Sequence, residues 1–326
     1  MDKHAKSLVI ICGASSGVGR ATAHRFAAAG YRIGLLARSE EGLTETQEEL
    51  SQYGVPVMSI SVDVADSQAV ESAAIRLDNA LGPLSIWINS AMVTVFSPID
   101  KLSAEEILRV TEVTYLGTVH GTLAALQLMR QRGDGLIIQV GSALAYRAIP
   151  LQAAYCGAKF AVRGFTDSLR CELLYERSRI RVCMVQLPAI NTPQFDWARN
   201  KLEKRPRPIP PIHDPDVAAR AIFSVLQSPP RELWLGWASI KAIVGTSLMP
   251  GLLDRLMARN AYSGQLSAEV DSQRPDNLFE PQQGLHQIRG RFVGRSLDSA
   301  FALTSAQLSA LSVIVFLLFC IVLLLF

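Results

Sequence analysis

Leu8-Val9-Ile10-Ile11-Cys12-Gly13-Ala14-Ser15-Ser16-Gly17-Val18-Gly19-Arg20 passes from an unbroken apolar run through three glycines into Arg20–Ala29, where apolar residues recur at helical spacing. Glycines at 13, 17 and 19 let the backbone turn sharply and approach a ligand closely. The helix that follows offers free N–H groups and the positive end of its dipole to an anion. Strand, glycine turn and helix in that order form a pyrophosphate cradle, provided the rest of the chain alternates strand and helix.

It does alternate. Short aliphatic runs occur at Leu8–Cys12, Tyr31–Ala37, Val55–Val62, Leu84–Asn89, Gly135–Gly141, Ile180–Leu187 and Glu232–Leu235. Helix-length stretches lie between them at Arg20–Ala29, Leu43–Tyr53, Ala69–Leu81, Ala104–Arg130, Gln152–Tyr175 and Pro215–Leu226. Such alternation demands right-handed crossovers. The predicted fold is therefore α/β, a Rossmann-like, doubly wound parallel sheet of about seven strands with helices on both faces.

The second strand ends in Leu36-Ala37-Arg38-Ser39, with no carboxylate to accept bonds from a ribose. Arg38 instead offers a planar fork of donors that suits a 2′-phosphate, so the expected cofactor is NADP(H). Asp63, in Val62-Asp63-Val64, ends the third strand where it can meet the adenine amino group, and Asn89 ends the fourth beside the same crevice.

Tyr155-Cys156-Gly157-Ala158-Lys159 places a phenol and an ammonium four residues apart on one helix face. A neighbouring ammonium is expected to lower the phenol's pKa and make it a usable acid or base. Ser142, at the end of the fifth strand, can reach the same substrate oxygen.

With these motifs in order, residues 7 to 260 resemble the short-chain dehydrogenase/reductase family. The match joins Gly13-x-x-x-Gly17-x-Gly19, Asp63, Asn89-Ser90-Ala91, Ser142, Tyr155-x-x-x-Lys159 and Pro188-Ala189-Ile190-Asn191-Thr192. The resemblance implies hydride transfer between nicotinamide and a carbinol or carbonyl carbon. Tyr155 would move the proton, Ser142 would hold the substrate oxygen, Lys159 would bond the nicotinamide ribose, and Thr192 would meet the carboxamide or pyrophosphate. The cofactor set it implies is Gly13, Ser15, Ser16, Gly17, Val18, Gly19, Arg38, Asp63, Val64, Asn89, Tyr155, Lys159 and Thr192. Cys12, Ser90 and Met92 depart from the family's usual residues. So does Thr114, where members carry an asparagine whose carbonyl helps hold a water that relays protons to the lysine; Thr114 keeps a hydroxyl for that water and completes the expected catalytic set.

Composition narrows the function further. The 326 residues carry 32 Lys+Arg and 29 Asp+Glu, a formal charge of +3 with no basic stripe, which argues against nucleic-acid binding. Five scattered cysteines and five scattered histidines form no C-x-x-C or H-E-x-x-H pattern, so neither disulfides nor a metal is expected. Mean hydropathy is +0.22, and Leu308–Phe326 supplies roughly four-fifths of the whole-chain sum. That run is long enough as a helix, at about 28 Å, to cross a bilayer.

The expected organisation is an oxidoreductase domain over 1–261, a flexible linker over 262–300 and a transmembrane helix over 301–326. Arg289, Arg291 and Arg295 before the span, opposed only by Asp298, place the domain on the cytoplasmic side. A tethered enzyme of this kind suits a lipophilic alcohol or carbonyl substrate. The proline-rich Arg205–Pro211 reads as a stiff part of a lid, with Met92, Leu144, Tyr146, Ile149 and Phe195 as apolar lining. The family's habit of associating through the helices 104–130 and 152–175 implies a homo-oligomer. The alternative function is a non-catalytic NADP(H)-binding redox sensor or scaffold at the membrane.

Overall fold

The structure is a computed structural model that describes residues 7–271, 274–308 and 310. Its centre is an eight-stranded sheet. In chain order the strands are β1 (Leu8–Cys12), β2 (Arg32–Ala37), β3 (Val57–Ser61), β4 (Leu84–Asn89), β5 (Gly135–Ser142), β6 (Ile180–Leu187), β7 (Glu232–Leu235) and β8 (Ala302–Thr304). They lie in the order β8-β7-β6-β5-β4-β1-β2-β3, all parallel except β8, which runs antiparallel to β7. The seven expected strands are present to within two residues at each end.

Burial follows position in the sheet. All eight residues of β5, between β4 and β6, are buried, whereas edge strand β3 buries none of its residues fully. Along β1, Leu8, Ile10 and Cys12 pack into one apolar layer and Val9 and Ile11 into the opposite one, as a period of two requires. Both faces of the sheet are thus covered by helices.

The helices are α1 (Gly17–Ala28), α2 (Glu40–Leu50), α3 (Ser67–Leu81), α4 (Ala104–Val110), α5 (Gly117–Arg132), α6 (Ala153–Tyr175), α7 (Pro215–Ser224), α8 (Trp237–Leu248) and α9 (Pro250–Gly264). Several begin before their apolar periodicity because a polar cap sets the start. Ser39 accepts from the Gly42 N–H at α2, Asp66 from Gln68 and Ala69 at α3, and Ser103 and Glu106 form a capping box at α4. The single helix expected over 104–130 is interrupted by a π-helical turn at Thr111–Leu116.

Two expectations about the C-terminal part change. Residues 262–300 are not a free linker. Leu266–Val270 pairs antiparallel with Lys204–Pro206, Ser296–Leu297 pairs parallel with Ile212–His213, and Leu278 is fully buried in the core. These attachments are mostly backbone pairings, which leave no apolar period in the sequence. Residues 302–304, assigned to the membrane helix, form β8 instead, because the β7 edge has a free row of N–H and C=O groups that the returning chain pairs. Apart from Leu308 and Ala310, the apolar run that carries the membrane expectation lies outside the described residues. Among the described residues no helix is long and apolar enough to cross a membrane.

Candidate active site

The strand order reverses at β1, which has β2 on one side and β4 on the other. Loops from both halves of the sheet diverge there and leave a crevice at the strand C-termini. One continuous cavity of about 530 Å³ fills it, lined from Gly13 to His286.

The glycine turn forms one wall. Gly13 has φ +79°, and a Cβ there would lie 2.7 Å from the Ala91 nitrogen, so the turn and the loop after β4 tolerate no side chain. Gly17, also at positive φ, rests against the Thr192 side chain. Gly19 packs α1 onto the turn. Ser15, Ser16 and Val18 line the cavity with them. Ser16 caps α1 without a side-chain hydrogen bond, unlike Ser39, Asp66 and Ser103 at their helices, and the Gly17 N–H at this helix start donates to the Gln287 carbonyl at 2.9 Å.

Arg38, Asp63 and Val64 line the neighbouring end of the cavity. Burial holds the Arg38 guanidinium below its ordinary pKa, with the Asp63 charge pulling the other way. Asp63 accepts from the Ala65 N–H at 2.9 Å and pairs with Arg109. Asn89 does not face the cavity. It is buried, and its amide donates to the Thr118 carbonyl, the Thr122 hydroxyl and Gln139 at 3.3, 3.1 and 2.9 Å while its oxygen accepts from Trp87 at 2.8 Å. The expected cofactor contact at Asn89 is therefore a structural knot, and Ser90 and Ala91 meet the cavity in its place.

Ser142, Tyr155, Lys159 and Thr192 all line the same cavity. Ser142 ends β5, and its Oγ accepts from the Leu144 N–H at 3.1 Å, which leaves its hydroxyl hydrogen for another acceptor. The Lys159 Nζ lies 5.7 Å from the Tyr155 ring centroid and donates to the Val140 carbonyl at 2.8 Å. Burial brings the Lys159 pKa down to about 8. The Tyr155 phenol departs from expectation: burial pushes it well above its ordinary range, although the bond with Ser142 draws it down. Desolvation thus outweighs the Ser142 bond and favours the protonated phenol.

Thr114 does not reach this group. It is fully buried, and its hydroxyl both donates to the Val93 carbonyl (3.1 Å) and accepts from the Val93 N–H (3.2 Å). Its own carbonyl accepts from the Thr118 hydroxyl at 3.0 Å. The expected relay hydroxyl is spent on fixing the loop after β4.

Met92, Leu144, Ile149 and Phe195 line the cavity as expected; Tyr146 instead packs on Trp234 and bonds Glu232. Sequence reading missed Trp197, Asn277, Gln282 and His286, which also line it, and Arg109, which holds Asp63. No spacing in the chain links these residues to the glycine turn.

Comparison with known proteins places this arrangement. The profile of the short chain dehydrogenase family matches residues 7–203. The uncharacterized oxidoreductase YxnA of Bacillus subtilis is 32% identical over 283 residues, covering 86% of this chain and 79% of that protein. Among solved structures, an alcohol dehydrogenase from the archaeon Thermococcus sibiricus complexed with 5-hydroxy-NADP has a TM-score of 0.62 at 27% identity, covering 70% of this chain and 95% of that one. The actinorhodin polyketide ketoreductase with NADPH has a TM-score of 0.62 at 25% identity, with coverages of 69% and 92%.

Proposed function

The chain belongs to the short-chain dehydrogenase family of oxidoreductases, and from that membership we propose that it transfers a hydride between NADP(H) and the carbonyl or alcohol carbon of a lipophilic substrate at a membrane surface. The observation that carries this reading is the meeting of Ser142, Tyr155 and Lys159 with the uncapped glycine turn in one cavity. The residues fit the cofactor: a turn whose glycines admit no Cβ, a helix start without a side-chain cap and the Arg38 fork suit a pyrophosphate and a 2′-phosphate.

Bound NADPH supplies the hydride. On the protein side, Ser142 donates its hydroxyl to the substrate oxygen, and Tyr155 releases its phenolic proton to that oxygen as the carbon is reduced. Lys159, lowered by burial yet still largely charged at pH 7, would hold the nicotinamide ribose and would favour the phenolate left on Tyr155.

The substrate class rests on Met92, Leu144, Ile149, Phe195, Leu253 and Met257 in the lining. Leu253 and Met257 belong to α9, beside exposed Leu248, Met249 and Leu252 at the α8–α9 corner. That corner and the sequence of Leu308–Phe326 support a membrane-facing enzyme with its domain in the cytoplasm. Exposed Leu123, Phe160 and Leu174 on α5 and α6 support a homo-oligomer through those helices.

Steady NADPH oxidation by the full chain, tested with long-chain ketones and aldehydes against short polar ones, decides the substrate class. Oxidation confined to the lipophilic members is expected; no oxidation with any carbonyl contradicts the reading. Arg38→Ala is expected to raise the ratio of the NADPH to the NADH dissociation constant about tenfold or more, since a charged hydrogen bond contributes about 1.5–3 kcal/mol. Equal losses for the two cofactors in a titration would assign Arg38 a merely structural role.

A further inference from the structure

Arg38 and the start of α1, which would receive the cofactor's phosphates, already have partners, and one segment of the chain supplies them. Arg38 donates to the carbonyls of Asn277 (2.5 Å), Leu278 (3.4 Å) and Phe279 (2.8 Å). Arg109, which holds Asp63, also donates to the Leu278 carbonyl at 3.1 Å. The Gly17 N–H, at the start of α1, donates to the Gln287 carbonyl at 2.9 Å, and Arg20 bonds the His286 carbonyl. The Leu278 side chain is fully buried in the apolar cluster that contains Val62, Val64 and Val113.

We propose that residues 277–287 are an autoinhibitory strap, an intramolecular competitor for the adenosine half of the cofactor site. The inference rests on the NADP(H) reading above and adds its regulation. The chemistry of the stand-ins is matched to the ligand. Backbone carbonyls offer Arg38 the oxygen acceptors a 2′-phosphate would supply, another carbonyl takes an N–H from the turn, and the Leu278 side chain is anchored in the apolar cluster that holds Val62 and Val64, the neighbours of Asp63. Because these contacts use backbone atoms of the strap, they and the cofactor cannot hold the same donors at once.

The strap is moored on either side, so release can be reversible. On one side Asp276 pairs with Arg199 at 2.8 Å. On the other, Arg289 pairs with Asp214 at 2.7 Å, the Gly290 N–H donates to the Asn191 carbonyl, and Phe292 packs with Phe96 and Phe195. Gly290 approaches the 191–192 backbone so closely that a Cβ would lie 2.4 Å from the Thr192 carbonyl oxygen. The middle can leave while both moorings stay.

The competition has a sign that a closing lid does not share. Leu278→Ala removes the buried plug, and Gly290→Val forces the far mooring off the Thr192 backbone, outside the apolar cluster that holds Leu278. Both are expected to tighten NADPH binding by tenfold or more in a fluorescence titration of the full chain. In hydrogen–deuterium exchange on the unaltered protein, NADPH is expected to slow exchange in 13–19 and to speed it in 277–287. Unchanged or weaker binding in both variants, or slower exchange in both segments, overturns the strap and leaves the cofactor reading standing. No binding to any of the three proteins and no change at 13–19 removes the cofactor reading itself, and the strap with it.

Discussion

Replacing Tyr155 with phenylalanine is expected to lower kcat/KM for carbonyl reduction by about a thousandfold while leaving NADPH binding within a few fold of the unaltered protein. A positioned acid contributes roughly 10²–10⁴-fold, and no second phenol in the cavity can take over. Tyr146, the nearest alternative in sequence, points away and spends its hydroxyl on Glu232. Cys156, next along α6, is buried with its thiol pKa raised, which suits packing better than proton transfer. The loss must appear in the chemical step, because the phenylalanine ring fills the same space and Ser142 and Lys159 keep their backbone partners, Leu144 and Val140. Single-turnover reduction, with binding followed separately by cofactor fluorescence, checks both halves. A variant that retains the original rate would transfer the proton role elsewhere.

Gly19→Ala is expected to cost about 3 kcal/mol of stability and to disrupt the glycine turn with it. A Cβ at this position would lie 2.0 Å from the Gly13 carbonyl oxygen and 2.8 Å from its carbon. Both are backbone atoms of the same turn, so no rotamer change relieves the clash, and α1 must lift away from β1. Gly164→Ala in the exposed face of α6 is the control: nothing lies within 4 Å of its Cβ, and the change stabilises by up to about 1 kcal/mol through helix propensity. Urea unfolding of the two variants should move the midpoint in opposite directions. Equal, small shifts would mean that the turn adapts more freely than its geometry allows.

What could be read in the chain follows from where each signal resides. Buried parallel strands such as Leu8–Cys12 and Gly135–Ser142 announce themselves as apolar runs, and the glycine turn is legible because only glycine fits its conformation and its contacts. Tyr155 and Lys159 are legible because helical spacing alone puts them together. Asn89 and Thr114 misled because an amide and a hydroxyl serve a ligand or a neighbouring backbone equally well. The choice is made by Thr122, Gln139 and Val93, which only the fold brings near. The segment 277–287 left no trace, since it meets Arg38 and Gly17 through carbonyl groups that every residue carries. Strand β8 was hidden for another reason: three residues of an edge strand abut a far stronger apolar run.

Deuteride transfer is the most direct test that this site performs oxidoreductase chemistry. The full chain is incubated with NADPH deuterated at the transferable C4 position and a long-chain ketone, and the product alcohol is analysed by mass spectrometry and NMR. Deuterium on the carbinol carbon, appearing about a thousandfold more slowly with Tyr155→Phe, is the expected result. NADPH bound in the cavity with no label in any alcohol product would contradict it and leave a cofactor-binding module without catalysis.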